Sequence, residues 1–228
     1  VFNQNHDQVG NRVKGERLSM LVDFEKQKLA AAAMLLAPYV PMLFMGEEYS
    51  DPTPFYYFVS HSDPELIKAV QKGRKEEFAN FKWDVEPPDP QDVKTFEDSI
   101  LQWNKRNQGE HQIMLSWFRE LIQFRSVNSV FHNYNKDYCK ATTFDNCGLA
   151  LERHSIGKKE SVLCLFNFSE KCINYQLPPN SSLGKKLLDS KDNKWSVRMT
   201  QEGERKEVSF KAGDNIELPC WAVYVLSN

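Results

Sequence analysis

Residues 23–46 read DFEKQKLAAAAMLLAPYVPMLFMG, and this stretch decides the fold class of the segment around it. Asp23 stands as an N-cap before Phe24 to Ala37, a segment of strong helix formers whose run Leu29 to Leu36 is apolar on most faces. A helix of that kind packs on several sides. Pro38 and Pro41 end it, because proline offers no amide proton and its ring clashes with the preceding turn. Val40 to Met45 is then a short unbroken apolar run closed by Gly46, the pattern of a strand buried on both faces of a parallel sheet. Helix followed by buried strand is α/β.

Downstream, Asp63-Pro64-Glu65 is a helix start by residue type, and Leu66, Ile67, Val70, Phe78 and Phe81 supply an apolar face. Glu86-Pro87-Pro88-Asp89-Pro90 breaks the chain before a short helix expected around Asp92 to Trp103. From Glu110 to Arg125, Ile113, Trp117, Leu121 and Phe124 recur at helical spacing, so one side of that helix is core. From Phe131 onward the period becomes alternating. Strands are expected at Tyr138 to Phe144, Leu149 to His154, Ser161 to Phe168 and Cys172 to Leu177, with a final run from Ile216 to Leu226. Turn chemistry such as Asp145-Asn146-Cys147-Gly148 and Pro178-Pro179-Asn180 separates them, which predicts an antiparallel β-sandwich. Eight of the eleven prolines precede the break near Val127 to Asn133 and all five cysteines follow it. Two domains are therefore expected, residues 1–128 and 129–228.

Composition narrows the function classes. With 41% hydrophobic and 26% charged residues in 228, the chain can bury a core. No apolar run approaches the roughly 20 residues a spanning helix needs, so no membrane partner is expected. Lys and Arg number 29 against 31 Asp and Glu, a balance without the basic footprint that nucleic acid demands. Five cysteines without a CxxC pair disfavour a disulfide framework and a zinc site, and no metal or cofactor is expected. No export signal is recognisable at the start, which makes a cytoplasmic setting the expectation. The chain opens on Val1 and reads as a piece of something longer.

The densest chemistry lies in Phe2-Asn3-Gln4-Asn5-His6-Asp7-Gln8-Val9-Gly10-Asn11-Arg12, a string rich in groups that hydrogen-bond hydroxyls. Taken alone, a His-Asp pair among asparagines is more often a turn or a cap. The whole string resembles the end of strand seven in the alpha-amylase family of glycoside hydrolases, where an Asn-His-Asp triplet carries function. Pro41-Met42-Leu43-Phe44-Met45-Gly46-Glu47-Glu48-Tyr49 resembles that family's strand eight and the Gly-x-Glu after it. Gly15-Glu16-Arg17-Leu18, Thr53 to Phe58, Asp63 to Leu66 and Gly73 to Phe78 resemble the trehalose-releasing branch of the family.

The resemblance covers about residues 1–128. It implies the C-terminal portion of a (β/α)8 TIM barrel, from the end of strand seven through helix eight, followed by the β-sandwich. It further implies retaining hydrolysis of the α-1,4 bond beside the trehalose unit of maltooligosyl trehalose or a related α-glucan. Such chemistry uses a nucleophile and an acid/base about 5 Å apart. The resemblance makes Asp7 the third carboxylate, which holds sugar hydroxyls and stabilises the transition state. His6 binds the same sugar, and Gln8 and Arg12 are substrate contacts or partners that orient Asp7. The nucleophile and the acid/base belong to strands four and five of that barrel, upstream of this chain, so the chain alone is expected to be inactive. Glu48 is read as anchoring its loop.

The aromatic run Phe55 to Phe58 is expected to be mostly packed, with one or two rings free for sugar. His61, His111, His132 and His154 are read as surface or capping groups, and the run Lys72 to Glu77 as a solvated helix face. The sequons at Asn167 and Asn180 read as chance matches. Barrel edges left without partners predict self-association. A glycogen-branching type shares the triplet, but the strings at Thr53 to Phe58 and Gly73 to Phe78 favour the trehalose-releasing branch. A non-catalytic carbohydrate-binding module would place function in the sandwich, yet Trp195 and Trp221 do not form a stripe.

Overall fold

The computed structural model describes residues 1–79, 86–195 and 208–228. Two short helices, α1 (His6–Gly10) and α2 (Leu18–Leu21), precede α3 (Phe24–Leu36). A long aromatic-rich loop then leads to α4 (Pro64–Ala79), α5 (Val93–Glu97) and α6 (Gly109–Val127). The strands are β1 (Cys139–Phe144), β2 (Gly148–His154), β3 (Ser161–Asn167), β4 (Ile173–Gln176), β5 (Lys185–Asp189), β6 (Asn215–Leu218) and β7 (Val223–Ser227).

α3 begins as its sequence dictates, with the Asp23 carboxylate accepting a hydrogen bond from the Lys26 amide at 3.0 Å. Leu29, Ala31, Ala32, Met34, Leu35 and Leu36 are all buried, so the helix is enclosed on several sides. Its C-terminal end is closed by two arginines. Pro38 rules out continuation and leaves the last carbonyls in need of donors. Arg125 donates to the carbonyls of Leu35, Ala37 and Tyr39 at 2.7, 3.2 and 2.8 Å. Arg153, from β2, donates to Leu36 and Ala37 at 2.9 and 3.1 Å and to Asn133 at 2.8 Å. Both positive charges also meet the negative end of the helix dipole.

β1, β2, β3, β7 and β5 form one antiparallel sheet in that spatial order, and β4 and β6 form a second. Alternation across the pleat divides the large sheet between two cores. Val162, Cys164, Phe166, Val223 and Val225 join Leu35, Met114, Trp117 and Leu121 of α3 and α6. Leu163, Leu165, Tyr224 and Leu226 join Ile173, Leu177, Ile216 and Leu218 under the small sheet. The first of these cores runs without interruption from residues before 128 to residues after it. Lys28 fastens the two parts, its ammonium donating to the Ser190 and Trp195 carbonyls at 2.8 and 3.1 Å while pairing with Glu25 at 2.8 Å.

Several expectations need correction. Val40 to Met45 is neither assigned as a strand nor buried, with Val40 69% and Met42 46% exposed. What it keeps is direction: the Val1 ammonium donates to the Val40 carbonyl and the Met42 amide donates to the Val1 carbonyl, both at 2.8 Å. Two bonds straddling one residue are the pattern of a parallel pair. Among the described residues no further strand flanks the segment, so the apolar run has direction without cover. α4 starts at Asp63 as expected, the Glu65 amide donating to its carboxylate at 2.9 Å. Its apolar face is nevertheless open, with Leu66 exposed and Ile67 and Val70 partly so. The Phe78 side chain and Phe81 lie outside the described residues. α5 stops at Glu97, well before Trp103. The run Ile216 to Leu226 is two strands in different sheets, split at Pro219, and β5 was not anticipated at all.

Candidate active site

α1 is set by local chemistry, with the Asn5 side chain accepting from the Gln8 amide at 2.8 Å and Val9 and Gly10 buried beneath. His6 and Asp7 project from its first turn, Nε2 to Oδ1 3.2 Å apart, with both side chains 71% exposed. Gln8 is exposed on the same helix. Arg12 pairs instead with Glu16, Nε to Oε2 3.3 Å. The structure thus brings His6 and Asp7 together and turns Arg12 to a different carboxylate.

The backbone under this pair is tied to the segment around Gly46. Glu47 is buried, and its carboxylate accepts from the Asn3 side chain and from the Phe44 amide, both at 3.1 Å. Burial pushes the Glu47 carboxyl up, and those hydrogen bonds offset part of the push. Glu47 therefore fastens this loop. Gln4, also buried, accepts from the Leu18 amide at 2.9 Å and holds the next turn.

A second tier of groups supports the loops on either side. Arg17 is buried and donates to the carbonyls of Thr53 and Met45, both at 2.6 Å, with its guanidinium 4.9 Å over the Phe44 ring. Gly15 allows this close approach: its φ is +56°, and a Cβ there would stand 2.6 Å from the Phe55 carbonyl oxygen. Asp51 accepts from Tyr49 Oη, the Thr53 amide and the Gln102 amide at 2.8, 2.7 and 2.8 Å. Burial pushes its carboxyl up, but bonds from Thr53, Tyr49 and Gln102 outweigh it and hold it below the usual range.

A carboxylate with a depressed folded value stabilises the fold above its unfolded value, about 3.9. That contribution is lost as pH falls through the folded value. Thermal melts between pH 3 and 7 are expected to show an acid limb below about pH 4, shallower in Asp51→Asn. An identical limb in the variant would remove Asp51 from the account.

Arg74, like Arg17 and Glu47, has a role the sequence does not disclose. Within the run Lys72 to Glu77, read as a solvated face, its side chain is only 11% exposed. Its guanidinium donates to the Gly10 carbonyl at 2.9 Å and the Asn11 side chain at 3.2 Å, and lies 4.7 Å over the Tyr57 ring. The available signal was an arginine among lysines, since a planar fork reaches several acceptors where an ammonium does not. In the aromatic run, Phe55 packs edge-on against Phe44 and Phe58, and Phe58 against Phe96, leaving Tyr57 the most open ring at 39%.

Three further histidines behave as ties: His111 and His132 hydrogen-bond the Tyr49 and Ser126 carbonyls, and His154 contacts Ser161 and Glu152. Asn167 is fully buried, its amide donating to three carbonyls, so that sequon is closed in the fold. Trp195 is core against Trp117, with ring centroids 5.1 Å apart. Among the described residues no group of three or more His, Cys, Asp or Glu is arranged for a metal ion, and no helix is long and apolar enough to cross a membrane.

Comparison with known proteins places these features in context. No family model matches the chain. A malto-oligosyltrehalose trehalohydrolase of Saccharolobus solfataricus is 39% identical over 200 residues, covering 84% of this chain and 31% of that protein. One of Brevibacterium helvolum is 46% identical over 126 residues, 55% of this chain and 21% of the relative. The chain thus spans between about a fifth and a third of these curated relatives. Among solved structures, a protein assigned as an alpha-amylase from Salmonella typhimurium superposes with a TM-score of 0.76 at 29% identity, over 99% of this chain and 34% of its own. The alpha-amylase of H. orenii gives 0.56 at 16% identity, covering 100% of this chain and 39% of its own, which speaks for the fold alone. With an exposed His-Asp pair at its head, one fold shared with these enzymes along its length, and sequence kinship to trehalohydrolases, this chain is similar to the C-terminal part of a malto-oligosyltrehalose trehalohydrolase and shares the fold of alpha-amylases.

Proposed function

We propose that this chain is the C-terminal part of a retaining glycoside hydrolase that cleaves the α-1,4 bond beside the trehalose unit of maltooligosyl trehalose. Residues 1–128 are, in this reading, the closing segment of its (β/α)8 barrel and 129–228 its β-sandwich. One observation carries the proposal. The hydrogen bonds of Val1 with Val40 and Met42, and of Asn3 with Glu47, set the Asn-His-Asp string and the Gly-x-Glu loop side by side in parallel. Adjacent parallel strands ending together are what a barrel requires, and its chemistry sits at that end.

Asp7 then acts by position and charge. Its carboxylate accepts hydrogen bonds from two sugar hydroxyls and faces the positive charge that develops at the ring, and His6 binds the same sugar. Gln8 lies near enough on α1 to add a contact, whereas Arg12, held by Glu16, orients its turn. The nucleophile and the acid/base come from elsewhere in the complete enzyme. Trehalose release from maltotriosyl trehalose is the test, comparing this chain, the full-length parent, and the parent with Asp7→Asn. Release by the parent alone is the expected result, and release by the 228-residue chain alone would refute the assignment.

The open row of Val1, Phe2, Val40, Met42 and Met45 supports self-association of the isolated chain. Light scattering at micromolar concentration is expected to give a mass above that of one chain; a monodisperse monomer would contradict this. Trp195 is buried and so offers no face for stacking on sugar, which makes the carbohydrate-binding-module reading the weaker one.

A further inference from the structure

α4 is an outlying helix. Most of its described side chains face solvent, and Lys68, Lys72, Lys75 and Glu76 touch little beyond their own helix. Two described side chains reach off the helix: Gln71 donates to Asp89 at 2.8 Å, and Arg74 reaches back more than sixty residues to one place, the end of α1. α1 is a single short turn-and-a-half with His6 and Asp7 at its start and Gly10 at its close. A helix of five residues has almost no rigidity of its own, so its direction depends on what holds its two ends. Asn5 fixes the first end locally. Arg74 fixes the other, binding the Gly10 carbonyl and the Asn11 side chain while the Tyr57 ring and Glu77 hold the guanidinium.

We propose that Arg74 is a positioning residue for the reaction: it sets the angle of α1 and with it the place of the Asp7 carboxylate. The inference rests on the role proposed for Asp7. Direct contact with substrate is a poorer reading, since the Arg74 side chain is 11% exposed and already meets three acceptors and a ring. The four-residue span from Asp7 to Asn11 makes the coupling short: a tilt of α1 about Asn5 moves Asp7 directly. Displacing a catalytic group by about 1 Å costs on the order of a hundredfold in rate.

The experiment uses the full-length parent with Arg74→Ala, Arg74→Lys and Asp7→Asn, and measures kcat and KM for trehalose release together with the melting temperature. Arg74→Ala is expected to lower kcat roughly 10- to 100-fold with KM changed less than about threefold. Arg74→Lys, which keeps charge but cannot span both acceptors, is expected to restore only part of the rate. Lys is also the milder change, so it reports even where Ala does not fold. Parental kcat in either Arg74 variant, alongside an inactive Asp7→Asn, would overturn the positioning role and leave the proposed function standing. Raised KM at unchanged kcat would overturn it in favour of substrate contact. Rate loss matched by a loss of folded protein, with parental kcat per folded molecule, would reduce Arg74 to a structural tie. An active Asp7→Asn would defeat both readings.

Discussion

Asp7→Asn in the full-length parent is expected to lower kcat for trehalose release by about a thousandfold, the scale of losing one group that stabilises transition-state charge. The fold should hardly notice. The Asp7 side chain is 71% exposed, and its ion-pair contact among the described residues is His6, itself equally exposed. Surface changes of this kind shift stability by no more than about 0.5 kcal/mol. Asn keeps the shape and one acceptor but loses the charge, so substrate binding should fall less than the rate. Steady-state kinetics with a parallel melting curve separates the two effects. A loss smaller than tenfold, at unchanged melting temperature, would show that the Asn-His-Asp string is a cap and not a site.

The second large effect lies away from the chemistry. Arg153→Met is expected to destabilise the chain by about 3 to 5 kcal/mol, the scale of leaving two buried carbonyls without a donor at about 1 to 3 kcal/mol each. Methionine restores much of the packing volume but none of the hydrogen bonds. The carbonyls of Leu36 and Asn133 lose their Arg153 donor inside the protein, and Ala37 retains only its longer bond to Arg125. Arg153 is 1% exposed and stands 4.7 Å over the Phe131 ring, so water has little route to replace it. Urea unfolding followed by tryptophan fluorescence reports the change, through Trp117 and Trp195 in the core. A loss below 1 kcal/mol would mean that Arg125 alone satisfies the helix end.

What the sequence disclosed depended on how local the cause was. The long helix α6 and the strands β2 and β3 were legible because each carries its own period, and Trp117 and Leu121 fall where helical spacing puts them. β5 was not, because Lys185-Lys186-Leu187-Leu188-Asp189 has the look of a polar loop and becomes a strand only by pairing with β7. Val40 to Met45 failed in the opposite sense. Its residues favour a buried strand, but burial is supplied by neighbours, and here a single residue of parallel pairing stands beside it. In the site, Asn5, His6 and Asp7 could be read from one string. Arg74, Arg17 and Glu47 could not, since each acts through partners 28 to 64 residues away.

The core shared by α3, α6 and the large sheet has a consequence for how this architecture is inherited and recombined. A crossover at residue 128 falls in the short link that follows α6 and looks harmless on the linear map. It would nonetheless hand one parent's Trp117 and Leu121 to another parent's Phe166 and Val225, and set Lys28 against unfamiliar carbonyls. The unit that travels intact runs from Asp23 to the end of β7. Within it, a change of side-chain volume on the helices has to be matched on the strands, because both fill one close-packed core.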